Sequence, residues 1–193
     1  MPDEKDWVDW RNQQRRHLIN KRQILTPSQR DDVEQKIQSQ LLDFLLPLPA
    51  GIISFYIPIK GEINCQPLIE ALLAKGWQAA LPKIIAKDTA LEFRLWQPDC
   101  VMAPETWRIP VPQNTELAVP NVLLIPLVGF DQYGHRLGNG GGFYDRSLAA
   151  IQPKPLAIGV GLESLKLDDI EAQPHDIAMD YVVTEQTIYS SQH

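Results

Sequence analysis

Val33, Ile37, Leu41 and Phe44 recur at intervals of three and four residues, the spacing of one apolar stripe along a helix. Just upstream, Thr26-Pro27-Ser28-Gln29 reads as a helix start: Thr26 caps, Pro27 takes the first turn and Gln29 completes a capping box. Pro47 and Pro49 stop the helix. The residues before Thr26 also read as helical, so a helical N-terminal segment is expected over about 5–46.

The pattern then changes period. Gly51 to Tyr56 is a nearly continuous apolar run, as in a short strand covered on both faces. Pro67 to Gly76 opens with proline and closes with glycine, which predicts a helix of about two to three turns. Trp77 to Leu81 predicts a second strand, ended by Pro82. Strand, helix and strand at this spacing form a βαβ unit with parallel pairing. Leu91 to Trp96 alternates apolar and polar residues, as a half-exposed antiparallel strand does. Val122 to Pro126 is the clearest buried strand. A helix over Tyr144–Ala150, a strand over Leu156–Val160 and a last strand near Tyr181–Thr184 complete the reading. Alternating elements predict an α/β fold, a three-layer α/β/α domain with a mostly parallel central sheet and a helical N-terminus. With no internal repeat and no low-complexity linker, one domain over residues 1–193 is expected.

Composition sharpens the picture in two places. The net charge of −6 argues against general nucleic-acid binding. Yet no acidic residue falls between Trp10 and Arg30, where Arg11, Arg15, Arg16, Lys21 and Arg22 lie. Such a segment binds a small anion or is a solvated helix face. No apolar run approaches the roughly 20 residues of a membrane span, and MPDEKDWVDW lacks the marks of a signal peptide. Cys65 and Cys100 lie far apart outside any metal or redox motif, and read as reduced, mostly buried thiols. A cytoplasmic protein is expected.

The chemistry concentrates in Asp131 to Arg146. Four of the five residues from 138 to 142 are glycine, just before a predicted helix. Such a loop turns backbone N–H groups toward one ligand, and the helix start favours an anion, with phosphate the natural guess. A flexible surface turn is the alternative. The loop is neither a Walker A motif nor the G-x-G-x-x-G fingerprint. Asp145 falls in the first helical turn, where it complements the dipole or holds Mg²⁺ against phosphates.

Pro126-Leu127-Val128-Gly129-Phe130-Asp131 followed by Arg136-Leu137-Gly138-Asn139-Gly140-Gly141-Gly142-Phe143-Tyr144-Asp145-Arg146 resembles the signature of 5-formyltetrahydrofolate cyclo-ligases. The likeness extends to the basic N-terminal helix, Tyr56-Ile57-Pro58-Ile59-Lys60-Gly61-Glu62, Leu81-Pro82 and His175-Asp176. The resemblance implies a fold akin to ribose-5-phosphate isomerase and CoA-transferase domains. It also implies an ATP- and Mg²⁺-dependent ligase that closes 5-formyltetrahydrofolate, polyglutamylated or not, to 5,10-methenyltetrahydrofolate, releasing ADP and phosphate. A monomer that binds neither nucleic acid nor membrane is expected.

Carried over residue by residue, the resemblance places Arg11, Arg15 and Arg136, Leu137, Gly138, Asn139, Gly140, Gly141, Gly142, Phe143 and Tyr144 on ATP. Ile57, Glu62 and Asn139 to Phe143 fall on the folate, and Asp145 and Asp176 on magnesium. Arg136, Tyr144 and Asp145 are the expected catalytic set. Many members carry lysine where Arg11 stands, and some a basic residue at Asn139. Helical spacing independently puts Arg11, Arg15 and Arg22 on one face. His135 and His175 read as turn or surface histidines rather than catalytic bases, and Trp96 and Trp107 as core or rim packing, with the lining of a pteridine pocket as the alternative. A folate-binding protein without turnover and an unrelated small-molecule kinase are the rival readings.

Overall fold

The computed structural model describes residues 4–191. In chain order its elements are α1 (Glu4–Gln23), α2 (Pro27–Leu45), β1 (Ile52–Ser54), α3 (Gln66–Leu73), β2 (Gln78–Lys83), β3 (Glu92–Trp96), β4 (Met102–Pro104), β5 (Pro110–Pro112), β6 (Val122–Pro126), β7 (Gly129–Phe130), β8 (Arg136–Leu137), α4 (Phe143–Ala150), β9 (Leu156–Val160), β10 (Tyr181–Val183) and β11 (Ile188–Ser190).

Seven strands form the main sheet in the order β11-β10-β9-β6-β1-β2-β3. The inner five run parallel, and β3 and β11 pair antiparallel at the two edges. Two small hairpins, β4–β5 and β7–β8, stand apart from it. The sheet is covered on both faces, as its apolar runs demand. Leu124 packs in one cluster with Leu18 of α1, Ile37 and Leu41 of α2, and Ile69 of α3. Its neighbours Leu123 and Ile125 point the other way and pack with Leu148 of α4. That alternation makes the chain an α/β/α sandwich.

The expected capping box is present: the Gln29 N–H donates to Thr26 Oγ1 at 3.3 Å, and the Thr26 N–H to Gln29 Oε1 at 2.9 Å. The buried stripe of α2 is Ile37, Leu41 and Leu45. Phe44 lies at its margin, with its ring edge on Tyr181 at 4.8 Å. Burying each of those three side chains contributes about 1.5–3 kcal/mol. In α1 the buried residues are Arg11, Leu18 and Arg22, so two of the three are arginine. This helix docks on polar groups, and therefore shows no apolar stripe in the sequence.

Three local expectations need correction. Pro82 does not end β2, which continues to Lys83 paired with β3. By then β1 has stopped pairing, its register with β2 ending at Ala80, so proline sits beside a free edge where its missing N–H costs least. The strand at Tyr181–Val183 is not the last, because β11 folds back on it. Cys100 is half-buried, whereas Cys65 is fully buried; both are free thiols. Among the described residues no helix is long and apolar enough to cross a membrane.

Candidate active site

After β1 the chain places β2 on one side, and later β6 on the other. The two crossovers diverge between β1 and β6, and the carboxyl ends of strands at such a point splay to leave a crevice. A cavity of about 240 Å³ opens there, lined by Tyr56 and Ile57 beyond β1, Leu81 to Lys83 of β2 and Pro126 of β6.

The chain from β8 into α4 forms one wall. Gly142 caps α4 with a left-handed backbone and no side-chain cap. Among the described residues, the N–H groups of residues 139–142 meet no acceptor in the chain. Two carbonyls of the loop are held by arginines: Arg15 Nε donates to Gly138 O at 2.9 Å, and Arg146 Nη2 donates to Gly141 O. Arg146 also reaches Thr89 O at 3.1 Å. Carbonyls tied back and N–H groups left open make an anion cradle.

Cations surround this cradle. Arg11 and Arg136, both buried, and the half-buried Arg15 line the cavity. Arg11 Nε has no hydrogen-bond partner, and neither has Arg136 Nη2, whose 2.7 Å contact with Asp145 Oδ1 is poorly aligned. Burial and the adjacent Arg11 charge lower the Arg15 pKa, with Asp176 opposing. Crowded, under-bonded arginines are the arrangement an anionic ligand relieves.

Two carboxylates balance them in part. Arg11 Nη2 meets Asp176 Oδ2 at 2.6 Å, and the Gln173 N–H donates to the same oxygen at 2.8 Å. Asp145 faces Arg136 and accepts from the Ile177 N–H at 3.0 Å.

Glu62 is buried, contrary to the default for a loop carboxylate beside glycine. Its Oε2 accepts from the Ile59 N–H at 3.1 Å, and its Oε1 faces Arg22 Nη2 at 3.3 Å and Asn139 Nδ2 at 3.5 Å. Burial pushes its pKa up, against the opposing pull of these partners. The remaining lining is largely apolar, with Ile57, Leu91, Ile109, Val111 and Phe143. The cavity therefore joins an anion cradle to an apolar chamber with one buried carboxylate.

All but one of the residues singled out by the resemblance line this cavity. Leu137 is the exception: its side chain is fully buried in the core and its carbonyl accepts from the Val128 N–H. Trp96 packs on Phe55 in the core, while Trp107 stands 63% exposed at the rim, 6.0 Å from the Phe143 ring. His175 is exposed at the rim, and His135 sits by Asp131. Asp131 itself is buried and accepts from the Tyr133 and His135 N–H groups, holding the turn ahead of the loop. Arg146 and Tyr56 stand in the motifs without an assigned role, and the sequence did not single out the Lys83–Glu105 pair at 2.9 Å. Arg146 lay within the signature, but its fold back onto Gly141 is a tertiary contact with no local mark.

An open α/β sheet with such a cavity at its switch point has the architecture of a small-molecule site, here one that joins an anion cradle to an apolar chamber. The chain belongs to the 5-formyltetrahydrofolate cyclo-ligase family, whose sequence model matches residues 8–185. The 5-formyltetrahydrofolate cyclo-ligase of Escherichia coli (strain K12) is 30% identical over 179 residues, covering 89% of this chain and 98% of that protein. Among solved structures, a 5,10-methenyltetrahydrofolate synthetase from Mycoplasma pneumoniae matches with a TM-score of 0.76 at 30% identity, over 91% of this chain and 98% of its own. The 5,10-methenyltetrahydrofolate synthetase of Aquifex aeolicus matches with a TM-score of 0.82 at 27% identity, over 95% of this chain and 93% of its own.

Proposed function

We infer that this chain catalyses the ATP-dependent closure of 5-formyltetrahydrofolate to 5,10-methenyltetrahydrofolate, with release of ADP and phosphate. The observation that carries this reading is the open N–H cradle of residues 139–142, set among arginines and sharing one cavity with the buried Glu62.

An amide-like formyl oxygen is a poor leaving group until it is phosphorylated. In the proposed sequence that oxygen attacks the γ-phosphorus and ADP leaves. N10 then attacks the formyl carbon and gives up its proton, and the C–O bond breaks to release phosphate. The protein's task is alignment and charge neutralisation. Arg11, Arg15, Arg136 and the loop N–H groups cradle the phosphates. Ile57, Phe143 and the loop hold the folate, and Glu62 accepts from the pterin N–H groups. Burial and the Glu62 charge push the Tyr144 hydroxyl well above its ordinary pKa, so it acts as a neutral donor toward developing charge.

Asp145 and Asp176 fit Mg²⁺. Among the described residues no group of three or more metal-type side chains forms, and Mg²⁺ takes only one or two carboxylates where phosphate and water complete its shell. Bound there, it supplies positive charge to the phosphate oxygens. The reading includes a monomer acting as one domain. The two free thiols fit the reducing cytoplasm. The open rim beside Trp107 fits a folate tail of one or several glutamates.

The test is absorbance in the methenyltetrahydrofolate band after mixing protein, 5-formyltetrahydrofolate, ATP and Mg²⁺, with each omitted in turn. A rise that needs protein, folate and ATP supports catalysis. Folate binding without any rise would favour a non-catalytic folate binder, and ADP formation without folate an unrelated kinase.

A further inference from the structure

Three consecutive carbonyl oxygens in the turn before Glu62 are each held by an arginine. Arg22 Nη2 reaches Ile59 O at 3.3 Å, Arg22 Nε reaches Lys60 O at 2.7 Å, and Arg30 Nη1 reaches Gly61 O at 3.1 Å. The turn needs holding. Lys60 and Gly61 both have left-handed backbone, with φ of 48° and 78°, and lysine rarely adopts that conformation. The Glu62 N–H donates to Ile59 O at 3.0 Å, and Glu62 Oε2 accepts from the Ile59 N–H, so the turn closes on the carboxylate itself.

Arg22 does more than cap the turn. Its Nη1 donates to Leu127 O at 2.7 Å, just past β6 at the switch point, and its Nη2 faces Glu62 Oε1 at 3.3 Å. It is 1% exposed and does not line the cavity. One guanidinium thus ties α1, the turn and the end of β6 to the carboxylate. Only a planar fork with donors on three nitrogens can make these contacts together; an ammonium cannot.

We propose that Arg22, seconded by Arg30, is a positioning residue that fixes the Glu62 carboxylate on the folate-facing wall of the cavity. This rests on the reading of Glu62 as the group that accepts from the folate. Arg22 lies behind Glu62, outside the cavity lining, so its influence on folate passes through Glu62. A buried arginine that merely stabilised the fold would act regardless of what stands at position 62.

The test is a double-mutant cycle read by equilibrium binding of 5-formyltetrahydrofolate and by the KM values for folate and ATP. The proteins are wild type, Arg22→Lys, Glu62→Gln and the double variant, each checked for folding by circular dichroism. Arg22→Lys is expected to weaken folate binding about tenfold, leaving the KM for ATP within about threefold of wild type. In the Glu62→Gln background the same change is expected to weaken folate binding less than about twofold. An undiminished loss in that background would overturn the proposal. If Glu62→Gln bound folate as tightly as wild type, the reading of Glu62 would fail first, and the proposal with it. Should Arg22→Lys not fold, Arg30→Gln enters the same cycle. A loss of about threefold that vanishes beside Glu62→Gln supports the proposal, and one that persists overturns it.

Discussion

Arg136 and Asp145 close the glycine loop into a ring, their side chains meeting at 2.7 Å from its two ends. The peptide of Ile177 fastens both, since its carbonyl accepts from Arg136 Nη1 at 2.7 Å and its N–H donates to Asp145 Oδ1 at 3.0 Å. Asp145 is thus held in the chain before any phosphate arrives. Asparagine can still accept from the Ile177 N–H but carries no charge for a cation. Asp145→Asn is therefore expected to fold, and to lose turnover by on the order of 10²-fold. Chelation of Mg²⁺ should abolish turnover in the wild type. Steady-state rates against Mg²⁺ concentration check both, and a variant with near wild-type rates would remove Asp145 from the metal site.

Asp176 makes a prediction about pH. Burial works against its ionisation, but the Arg11 hydrogen bond, the Gln173 N–H and the charges of Arg11 and His175 outweigh it, so its pKa is lowered. A carboxyl lowered on folding adds stability that is fully present above its unfolded value of about 4, and lost as pH falls through the folded value. At neutral pH the wild type is expected to exceed Asp176→Asn in stability by about 2 kcal/mol. The gap should close as the solution is acidified below the ordinary carboxylate range. Urea unfolding of both proteins across that range is the measurement; a gap that persists unchanged would assign the loss to packing.

What the sequence disclosed, and what it withheld, follows from the range of each interaction. The β6 strand, the Thr26 capping box and the glycine loop are local, so their residues carry the signal themselves. The stripe of α2 was legible too, apart from the exchange of Phe44 for Leu45 at its end, where one residue rotates the helix by about 100°. Strands of two or three residues, such as β7, β8 and β11, are too short to show a period. The burial of Glu62 was out of reach, because Arg22, forty residues earlier, encloses it. Family resemblance marked Glu62 and Asp176; only the fold displays their arginine partners.

The two cysteines should differ sharply in reactivity. Cys65 is fully buried, and burial pushes its thiol up to about 12 despite the nearby Tyr56 hydroxyl. The thiolate is the reactive form, so this side chain is inert in the folded protein. Cys100 is half-buried, with its sulfur 3.5 Å from Met102 Sδ. A colorimetric disulfide reagent at mildly alkaline pH is expected to modify one thiol in the native protein, and Cys65 about 100-fold more slowly. In denaturant both should react at once. Equal native rates would mean that the core around Cys65 opens readily.

The glycines of the loop are not equivalent, and the difference can be measured. Gly138 has open space where a Cβ would stand, so Gly138→Ala should leave the folded state unstrained. Gly142 has φ of +63°, and its Cβ would lie 2.8 Å from Arg146 Nη1. Left-handed backbone alone costs an alanine about 1–2 kcal/mol. Gly142→Ala must also move the arginine that ties back the Gly141 carbonyl. Gly140, at φ +92°, would bring only an ordinary contact with Arg15, so its penalty is backbone strain without a clash. The expected order of destabilisation in urea unfolding is Gly142→Ala, then Gly140→Ala, then Gly138→Ala. Gly140→Ala should also raise the KM for ATP by about tenfold, because strain relief turns loop N–H groups away from the cradle. Unchanged nucleotide affinity in that variant would show that the arginines alone hold the phosphates.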